Sequence, residues 1–357
     1  MVRCLQCFLL WIALPAVARD PRPIPPPLAQ FLSTAIGLSH DELSRVMGGV
    51  PMVKALQVAD QREVVLFGAV RIDVPRPFYL ERAMDFQESL RDPSRARFAT
   101  FSSPPAASDV SAFSLPRNDV RDLANCGPGA CTVKLSAKGI ADLRASVGGA
   151  GRIADSVANA YFRQRMAGYI VAYRARGNAA LIVYDDQSAN AAGASVLNAM
   201  LARAPFLYQY PLSLEQYLRN YPNSRPAGIQ EVQFWAEDDL PGLKRTFMMK
   251  HVVIYSPPEL PGSTLIVSKQ LYADHYLDGG LGLTDIVDEA DGSGTAPTAI
   301  YLVLVQRWHF DSDLPDGWLL NVRGKVTGKL SDRLLASLRD DKVRSERAYA
   351  AIRATVH

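Results

Sequence analysis

The last third of the chain restricts the possible folds more than any other part of the sequence. Four segments there have the apolar alternation of strands, Val232–Glu237, Arg245–Ser256, Thr264–Leu277 and Ala299–Phe310. Short connections between such segments favour antiparallel neighbours. One long helix then begins at about residue 320, and its apolar stripe is Val322, Val326, Leu330, Leu334 and Leu338. This order predicts an α+β fold with an antiparallel sheet and a C-terminal helix.

The earlier part of the chain supplies a further strand and several helices. Glu63–Val74 is rich in β-branched residues and predicts a strand, whereas residues 137–222 mostly have helical periodicity. We therefore predict one α+β domain over residues 39–357 with a helical insertion at about 137–222. The proline-rich residues 19–38 are expected to form an extended linker, because proline fixes φ and removes a hydrogen-bond donor.

The first 18 residues have the features of a secretory signal peptide. A positive head ends at Arg3, an apolar run follows that is too short to span a bilayer, and Ala16-Val17-Ala18 fits the pattern that signal peptidase cleaves. The alternative is an uncleaved membrane anchor. No later segment is apolar and long enough for a membrane span, so we expect a secreted or periplasmic protein without a transmembrane segment after cleavage.

Two cysteines remain after signal cleavage, Cys126 and Cys131. Between them lies Gly127-Pro128-Gly129, which favours a tight turn that brings the two side chains together. In an oxidising compartment this spacing predicts a disulfide that fixes a corner of the fold. A catalytic redox pair is the alternative, but such pairs usually have two intervening residues and this pair has four.

Charge and motifs exclude several classes of function. The formal net charge is +3, too balanced for the electrostatic footprint of a nucleic-acid-binding protein. The sequence contains no G-x-S-x-G, H-E-x-x-H, Walker or G-x-G-x-x-G motif. We therefore predict no cofactor, no metal site and no nucleic-acid partner.

Separating the late strands into their two faces identifies candidate binding residues. Alternation over Thr264–Leu277 places Lys269 and His275 among aliphatic residues, and it does the same for His251 and Arg307 on the neighbouring strands. A few polar groups on an apolar lining are typical of small-molecule cavities, although ordinary core packing is the alternative. The ligand-binding candidates are His251, Lys269, His275, Arg307, Trp235 and Glu237.

The element order resembles that of the START-like, helix-grip (polyketide cyclase-like) superfamily. The two parts that carry the resemblance are Glu63–Val74 leading into Pro75-Arg-Pro-Phe78, and Ala299–Phe310 leading into the closing helix. The resemblance implies a curved sheet wrapped on that helix with an apolar cavity between them. The segments Cys126–Cys131 and Ser268–Tyr276, together with Trp235, are also similar to a group of uncharacterised secreted bacterial proteins.

Three functions are compatible with these patterns. The first is a binding protein that shelters an apolar or amphipathic small molecule, such as a lipid, between the sheet and the C-terminal helix. The second is an enzyme that uses His251, His275 and Lys269 in that cavity as acid, base or electrostatic groups. The third is a structural envelope protein that presents a surface of its insertion, Ala137 to Tyr221, to a protein partner. We favour the first.

Overall fold

The structure is a computed structural model that covers most of the chain. The predicted signal peptide, residues 1–18, lies outside the residues that it describes. The described residues are 24–84, 97–146, 154–187, 190–204, 211–239, 243–290, 296–314 and 321–355.

Eight strands form one antiparallel curved sheet in the order β1-β2-β10-β9-β8-β7-β6-β3, and β4 and β5 form a separate short ribbon. The strands that come late in the sequence therefore lie in the middle, because β10 pairs with both β2 and β9. The strands are β1 Met52–Leu56, β2 Glu63–Ile72, β3 Phe98–Thr100, β4 Val183–Tyr184, β5 Ala191–Ala192, β6 Gln230–Asp238, β7 Thr246–Tyr255, β8 Ser263–Ala273, β9 Leu277–Asp288 and β10 Ile300–Phe310.

The helices divide into those near the start of the chain, those of the insertion and one at the end. Ser39 caps α2 by a reciprocal pair of hydrogen bonds with Glu42. The helices are α1 Pro26–Thr34, α2 His40–Met47, α3 Arg76–Met84, α4 Arg117–Leu123, α5 Ala137–Ser146, α6 Asp155–Arg176, α7 Gly193–Ala202, α8 Leu212–Asn220 and α9 Val322–Thr355.

Helix α9 packs on one face of the sheet, which we call the helix face. Leu330 and Leu338 are buried there, against clusters that contain Leu66 and Val70 of β2. Gly68 lets α9 come close, since a Cβ at this position would lie 3.1 Å from Leu338 Cδ1. The predicted α+β fold, with a curved antiparallel sheet and a long C-terminal helix, is confirmed. Of the predicted stripe, Val322 is exposed.

The opposite face of the sheet, which we call the insertion face, is covered by α1 and by the helices between β3 and β6. Phe67, Met249, Val253 and Val303 of the sheet share the largest apolar cluster with side chains of α1, α6, α7 and α8. The sheet is therefore buried on both faces. Because both faces are covered, alternation separates the residues of a strand into two sets but does not show which set packs against α9.

Residues 26–34, which lie within the predicted linker, form helix α1 instead. Leu28, Phe31 and Leu32 of this helix are buried in the core. Pro26 and Pro27 stand at the first helical positions, where a missing N–H costs little because those donors have no partner within the helix. This part of the segment therefore belongs to the fold and not to a linker.

The sheet contains one late strand more than the sequence predicted. Strand β9, Leu277–Asp288, has three glycines and three aspartates, which are unfavourable in strands and hid it from the pattern analysis. All three glycines lie close to neighbouring side chains, and a Cβ at Gly279 would lie 2.7 Å from Val196 Cγ1. A Cβ at Gly280 would lie 3.1 Å from Gln270 Oε1, and one at Gly282 would lie 2.9 Å from Gln306 Nε2.

Cys126 and Cys131 lie at disulfide distance, with their Cα atoms 4.6 Å apart. Gly129 between them has a φ of +74°, which glycine adopts without strain. The turn is held from outside as well, because the backbone N–H groups of Gly129 and Cys131 donate to the carbonyl oxygens of Asp185 and Asp186. The pair therefore closes a corner of the chain just before the insertion, as the spacing predicted.

Candidate functional site

Five of the six candidate residues lie on the insertion face of the sheet. The strand register places His251, Lys269 and Arg307 on this face together with Trp235 and Glu237, so none of the five points toward α9. The cavity that we expected beside the C-terminal helix therefore does not contain them. His251, Lys269, Arg307 and Trp235 instead contact segments outside the sheet, and Glu237 contacts Arg97 just before β3.

His251 and Lys269 are direct cross-strand neighbours on β7 and β8. His251 is fully buried and is held at both ring nitrogens: the Tyr173 hydroxyl lies 2.8 Å from Nδ1 and Glu231 Oε2 lies 3.1 Å from Nε2. Burial lowers the pKa of His251 to about 4, so the ring is neutral at pH 7. Nε2 then donates to the carboxylate, and Nδ1 accepts from Tyr173.

The chain Tyr173, His251 and Glu231 has the order phenol, imidazole and carboxylate. Although burial opposes ionisation, hydrogen bonds from His251 and Tyr217 lower the pKa of Glu231 to about 2. Such a chain is able to orient the imidazole and to pass a proton from the phenol to it. Tyr173 is fully buried, however, and Glu231 is partly exposed, so the chain joins α6 to the sheet and meets solvent at its carboxylate end.

Lys269 lies in an aromatic cage beside this chain. Its Nζ donates to Asn178 Oδ1 at 3.1 Å and lies 4.5 Å from the ring centre of Tyr221 and 5.2 Å from that of Tyr173. Burial lowers the pKa of Lys269 to about 7. A large share of this amine is therefore neutral at physiological pH, which makes it more nucleophilic than an ordinary lysine.

Trp235 and Glu237 connect β6 to the segments that precede α4. The indole of Trp235 donates from Nε1 to the Asp109 carbonyl oxygen at 2.7 Å and stacks on Phe247. The carboxylate of Glu237 receives two hydrogen bonds from the Arg97 guanidinium, at 2.5 and 2.9 Å. Both side chains are therefore satisfied within the fold.

His275 lies away from the other candidates. Strand β8 ends at Ala273, and a bulge opposite Met249 and Lys250 interrupts the alternation before that point. His275 is therefore in the β8–β9 turn, where Nδ1 donates to the Thr132 carbonyl oxygen and Nε2 to Asp119 Oδ2, at 2.9 and 3.0 Å. His275 therefore follows Lys269 across a bulge and the end of β8 and is not on the face that alternation assigned to it.

Arg307 of β10 forms a buried ion pair with Glu63 of β2. Its Nη1 lies 2.6 Å from Glu63 Oε2, and its Nη2 donates to the Arg203 carbonyl oxygen at 2.9 Å. The guanidinium of Arg203, just after α7, contacts the other oxygen of the same carboxylate at 2.7 Å. Two arginines therefore share one fully buried carboxylate, and Arg203 also lies 3.9 Å from the Asp60 carboxylate.

A cavity of about 580 Å³ opens beside these arginines. Its apolar wall includes Ile36, Leu56, Val58 and Val65, and its charged lining consists of Glu63, Arg203, Arg307 and Lys54. Cavities of this size, with apolar walls and a few polar groups, are typical of small-molecule sites. Of the six candidates, Arg307 is the one that lines this cavity.

A second buried cluster of charged side chains has no recognisable pattern in the sequence. Lys134 Nζ lies within 3.4 Å of carboxylate oxygens of Asp186, Asp278 and Asp311. Burial opposes its charge, but the carboxylates outweigh burial and raise the pKa of Lys134. The four residues come from distant segments with no motif. Within the described residues, no group of three or more His, Cys, Asp or Glu side chains is arranged to hold a metal ion.

Among the described helices, none has an apolar stretch of the length that a bilayer crossing requires.

The comparisons with known proteins identify no family for this chain. No protein-family model matches the chain, and no curated protein sequence matches it. The resemblance to the START-like superfamily therefore stays a prediction.

Proposed function

We propose that this protein binds a small amphipathic molecule with an anionic head group in the cavity beside Arg307. One observation carries the proposal: an apolar-walled cavity of about 580 Å³ ends at two arginines that share one carboxylate. The apolar wall suits a hydrocarbon body, and the arginines suit a carboxylate or phosphate.

The cations of the cavity have donors to spare for a ligand. Lys54 uses one of its three donors on the Gly37 carbonyl oxygen, and its contact with Glu42 is longer, at 3.9 Å. Arg203 is partly exposed, whereas Glu63 and Arg307 are held rigidly behind it. A rigid charged floor with one accessible arginine is a favourable arrangement for binding an anion, because little side-chain entropy is lost.

The proposal places the protein outside the cytoplasm. Support comes from the sequence alone, since residues 1–18 have the charge pattern, the apolar run and the Ala16-Val17-Ala18 motif of a cleaved signal. The Cys126 and Cys131 pair is consistent with an oxidising compartment. A START-like relationship would agree with a lipid-like ligand, although here the proposed cavity is on the opposite face of the sheet.

The test is a titration of the protein with octanoate and with octanol by isothermal titration calorimetry. We expect saturable binding of octanoate and much weaker binding of octanol, which lacks the charge. Arg203→Gln should weaken octanoate binding roughly tenfold or more, because a charge-assisted hydrogen bond is lost. Arg117→Gln is the matched control, since the Arg117 side chain is almost fully exposed.

A second substitution tests the position of the ligand independently of charge. Val58→Trp places an indole in the apolar part of the cavity and should abolish octanoate binding while the protein stays folded. The absence of saturable octanoate binding, or unchanged affinity in both Arg203→Gln and Val58→Trp, would contradict the proposal.

A second candidate function is an enzyme that uses Lys269 as an amine nucleophile. The observation that favours it is the pKa of about 7 of this buried amine beside the neutral His251. His275 has no part in such a site, since it is bound in the β8–β9 turn. Incubation with octanal and cyanoborohydride should then label Lys269 selectively, and a protein without that label would count against the enzyme.

A further inference from the structure

A second cavity, of about 560 Å³, lies on the other side of α1. Its lining is apolar on the α1 side, where Pro25, Pro27, Leu28 and Phe31 contribute, and acidic on the sheet side. The acidic side chains are Glu259, Asp285, Asp288 and Glu289. This charge is opposite to that of the cavity beside Arg307.

Asp285 is the unusual member of this acidic group. Asp288 pairs with Arg76 at 3.1 Å, and Glu289 pairs with Arg71 at 3.1 Å. Asp285 has a hydrogen bond with the Ser263 side chain, but its Oδ1 is buried without a hydrogen-bond partner among the described residues. Burying a carboxylate oxygen without a hydrogen-bond partner costs folding free energy, so this oxygen does not stabilise the fold.

The neighbours of Asp285 in the sheet are also unfavourable for a carboxylate. Its cross-strand neighbours are Leu265 of β8 and Val303 of β10, which are both fully buried. Leu283 and Val287 flank it on the same face of β9. An aliphatic residue would fit this environment better than a carboxylate. Residues that are unfavourable for folding in this way mark binding sites more often than structural positions.

We propose that this cavity binds a small organic cation, a primary amine on an apolar body, through Asp285. The ammonium group would donate to Asp285 Oδ1, which has no other donor, and the apolar body would lie against Leu28 and Phe31. Burial raises the pKa of Asp285 to about 7, and a bound ammonium favours its ionised form. Arg76, Glu259, Asp288 and Glu289 are the other charged groups around it.

The test uses ligands of one chain length. Octylamine should bind the full protein saturably at pH 8 by isothermal titration calorimetry, and octanol should bind at least about tenfold more weakly. Asp285→Asn should weaken octylamine binding at least about tenfold. Asp332→Asn, at an exposed position of α9, is the matched control and should leave binding unchanged.

A stability measurement separates a binding role from a structural one. Asp285→Leu should abolish octylamine binding and raise the melting temperature, because it replaces a carboxyl group whose buried Oδ1 has no hydrogen-bond partner with an apolar side chain. A lower melting temperature for Asp285→Leu, unchanged octylamine binding in Asp285→Asn, or no saturable binding of octylamine would each overturn the proposal. Arg203→Gln should leave octylamine binding intact, so this site is tested separately from the octanoate site.

Discussion

The two faces of the sheet are held to their covering layers by different interactions. On the helix face, α9 is held by aliphatic contacts such as those of Leu338 with β2, and its hydrogen bonds, such as those of Arg323 and Lys342 with backbone carbonyl oxygens, are partly exposed. On the insertion face, apolar packing is accompanied by buried polar connections such as His251 to Tyr173 and Lys269 to Asn178. Five of the six candidate residues contact segments outside the sheet, whereas Glu237 pairs with Arg97, which directly precedes β3.

This difference follows from the shapes of the two layers. One long helix with an apolar stripe can bury that stripe on a complementary strip of sheet by non-directional packing, so its polar contacts can stay at the partly exposed margin. The insertion consists of one long helix, α6, with several short helices and irregular segments that many arrangements would bury about equally well. Buried hydrogen bonds have one geometry, and we infer that they select a single arrangement of the insertion.

The largest effect that this comparison predicts is on the insertion face. Lys134→Ala should lower the free energy of unfolding by about 3–5 kcal/mol in urea denaturation, because it leaves the carboxylates of Asp186, Asp278 and Asp311 buried without their cation. Lys138→Ala is the control, since Lys138 is exposed and its pair with Asp142 is worth at most about 1 kcal/mol. An equal loss of unfolding free energy in the two variants would contradict a stabilising role for this buried cluster.

On the helix face the effect should come from packing alone. Leu338→Ala should cost about 2–5 kcal/mol in the same measurement, because the leucine is buried and its removal leaves a cavity against β2. The loss should not change with pH between 5 and 8, since no titratable group is removed. Val343→Ala, at an exposed position of the same helix, should cost far less. A small loss of unfolding free energy in Leu338→Ala would show that packing at this position does not hold α9 on the sheet.

A pH-dependent effect should distinguish the insertion face further. Burial opposes the charge of His275, but the hydrogen bond to Asp119 and the charges of Asp274 and Asp119 raise its pKa above 6.5. Its contribution to stability is therefore complete below pH 6.5 and is lost as the pH rises through the folded-state pKa. His275→Gln should cost about 1.5–3 kcal/mol at pH 5.5 and progressively less at higher pH.

The control for this pH series is His40→Gln, because His40 is exposed on α2. The difference in unfolding free energy between each variant and the parent protein should be measured from pH 5 to pH 9. A difference for His275→Gln that stays constant or grows with pH would show that the charged imidazole is not the stabilising form.

The smallest of these effects concerns the corner just before the insertion. Replacing Cys126 and Cys131 by serine should lower stability by about 2 kcal/mol, because the disulfide closes a loop of only a few residues. The parent protein under reducing conditions should match the double variant. Identical melting temperatures for the oxidised and reduced parent protein would show that the surrounding backbone hydrogen bonds fix this corner without the bond.

Periodicity predicted much of this architecture, and its failures have physical causes. The strand segments around His251 and Arg307 and the stripe of α9 follow from alternation and from the helical repeat. Strand β9 was not predicted because it contains three glycines, which are unfavourable in strands and here pack closely against neighbouring side chains. Helix α1 was missed because proline signals an extended chain except at the start of a helix.

The candidate sites were less predictable than the fold. Alternation correctly grouped Lys269 with the apolar side of β8, but it failed for His275 because a bulge and a turn come between them. The arginine cavity depends on Arg203, which folding brings to β10 from 104 residues away. Lys134 and Asp311 are 177 residues apart. Such contacts leave no periodic signal in one sequence.

Helix α1 has a consequence for how two ligands would influence each other. Its N-terminal half lines the acidic cavity, and Ala35 and Ile36, just beyond its last residue, line the basic one. Any occupant that shifts this shared wall changes the affinity of the neighbouring cavity, and thermodynamic linkage requires the second occupant to act on the first by the same factor. Measuring octylamine affinity at saturating octanoate would give that coupling directly.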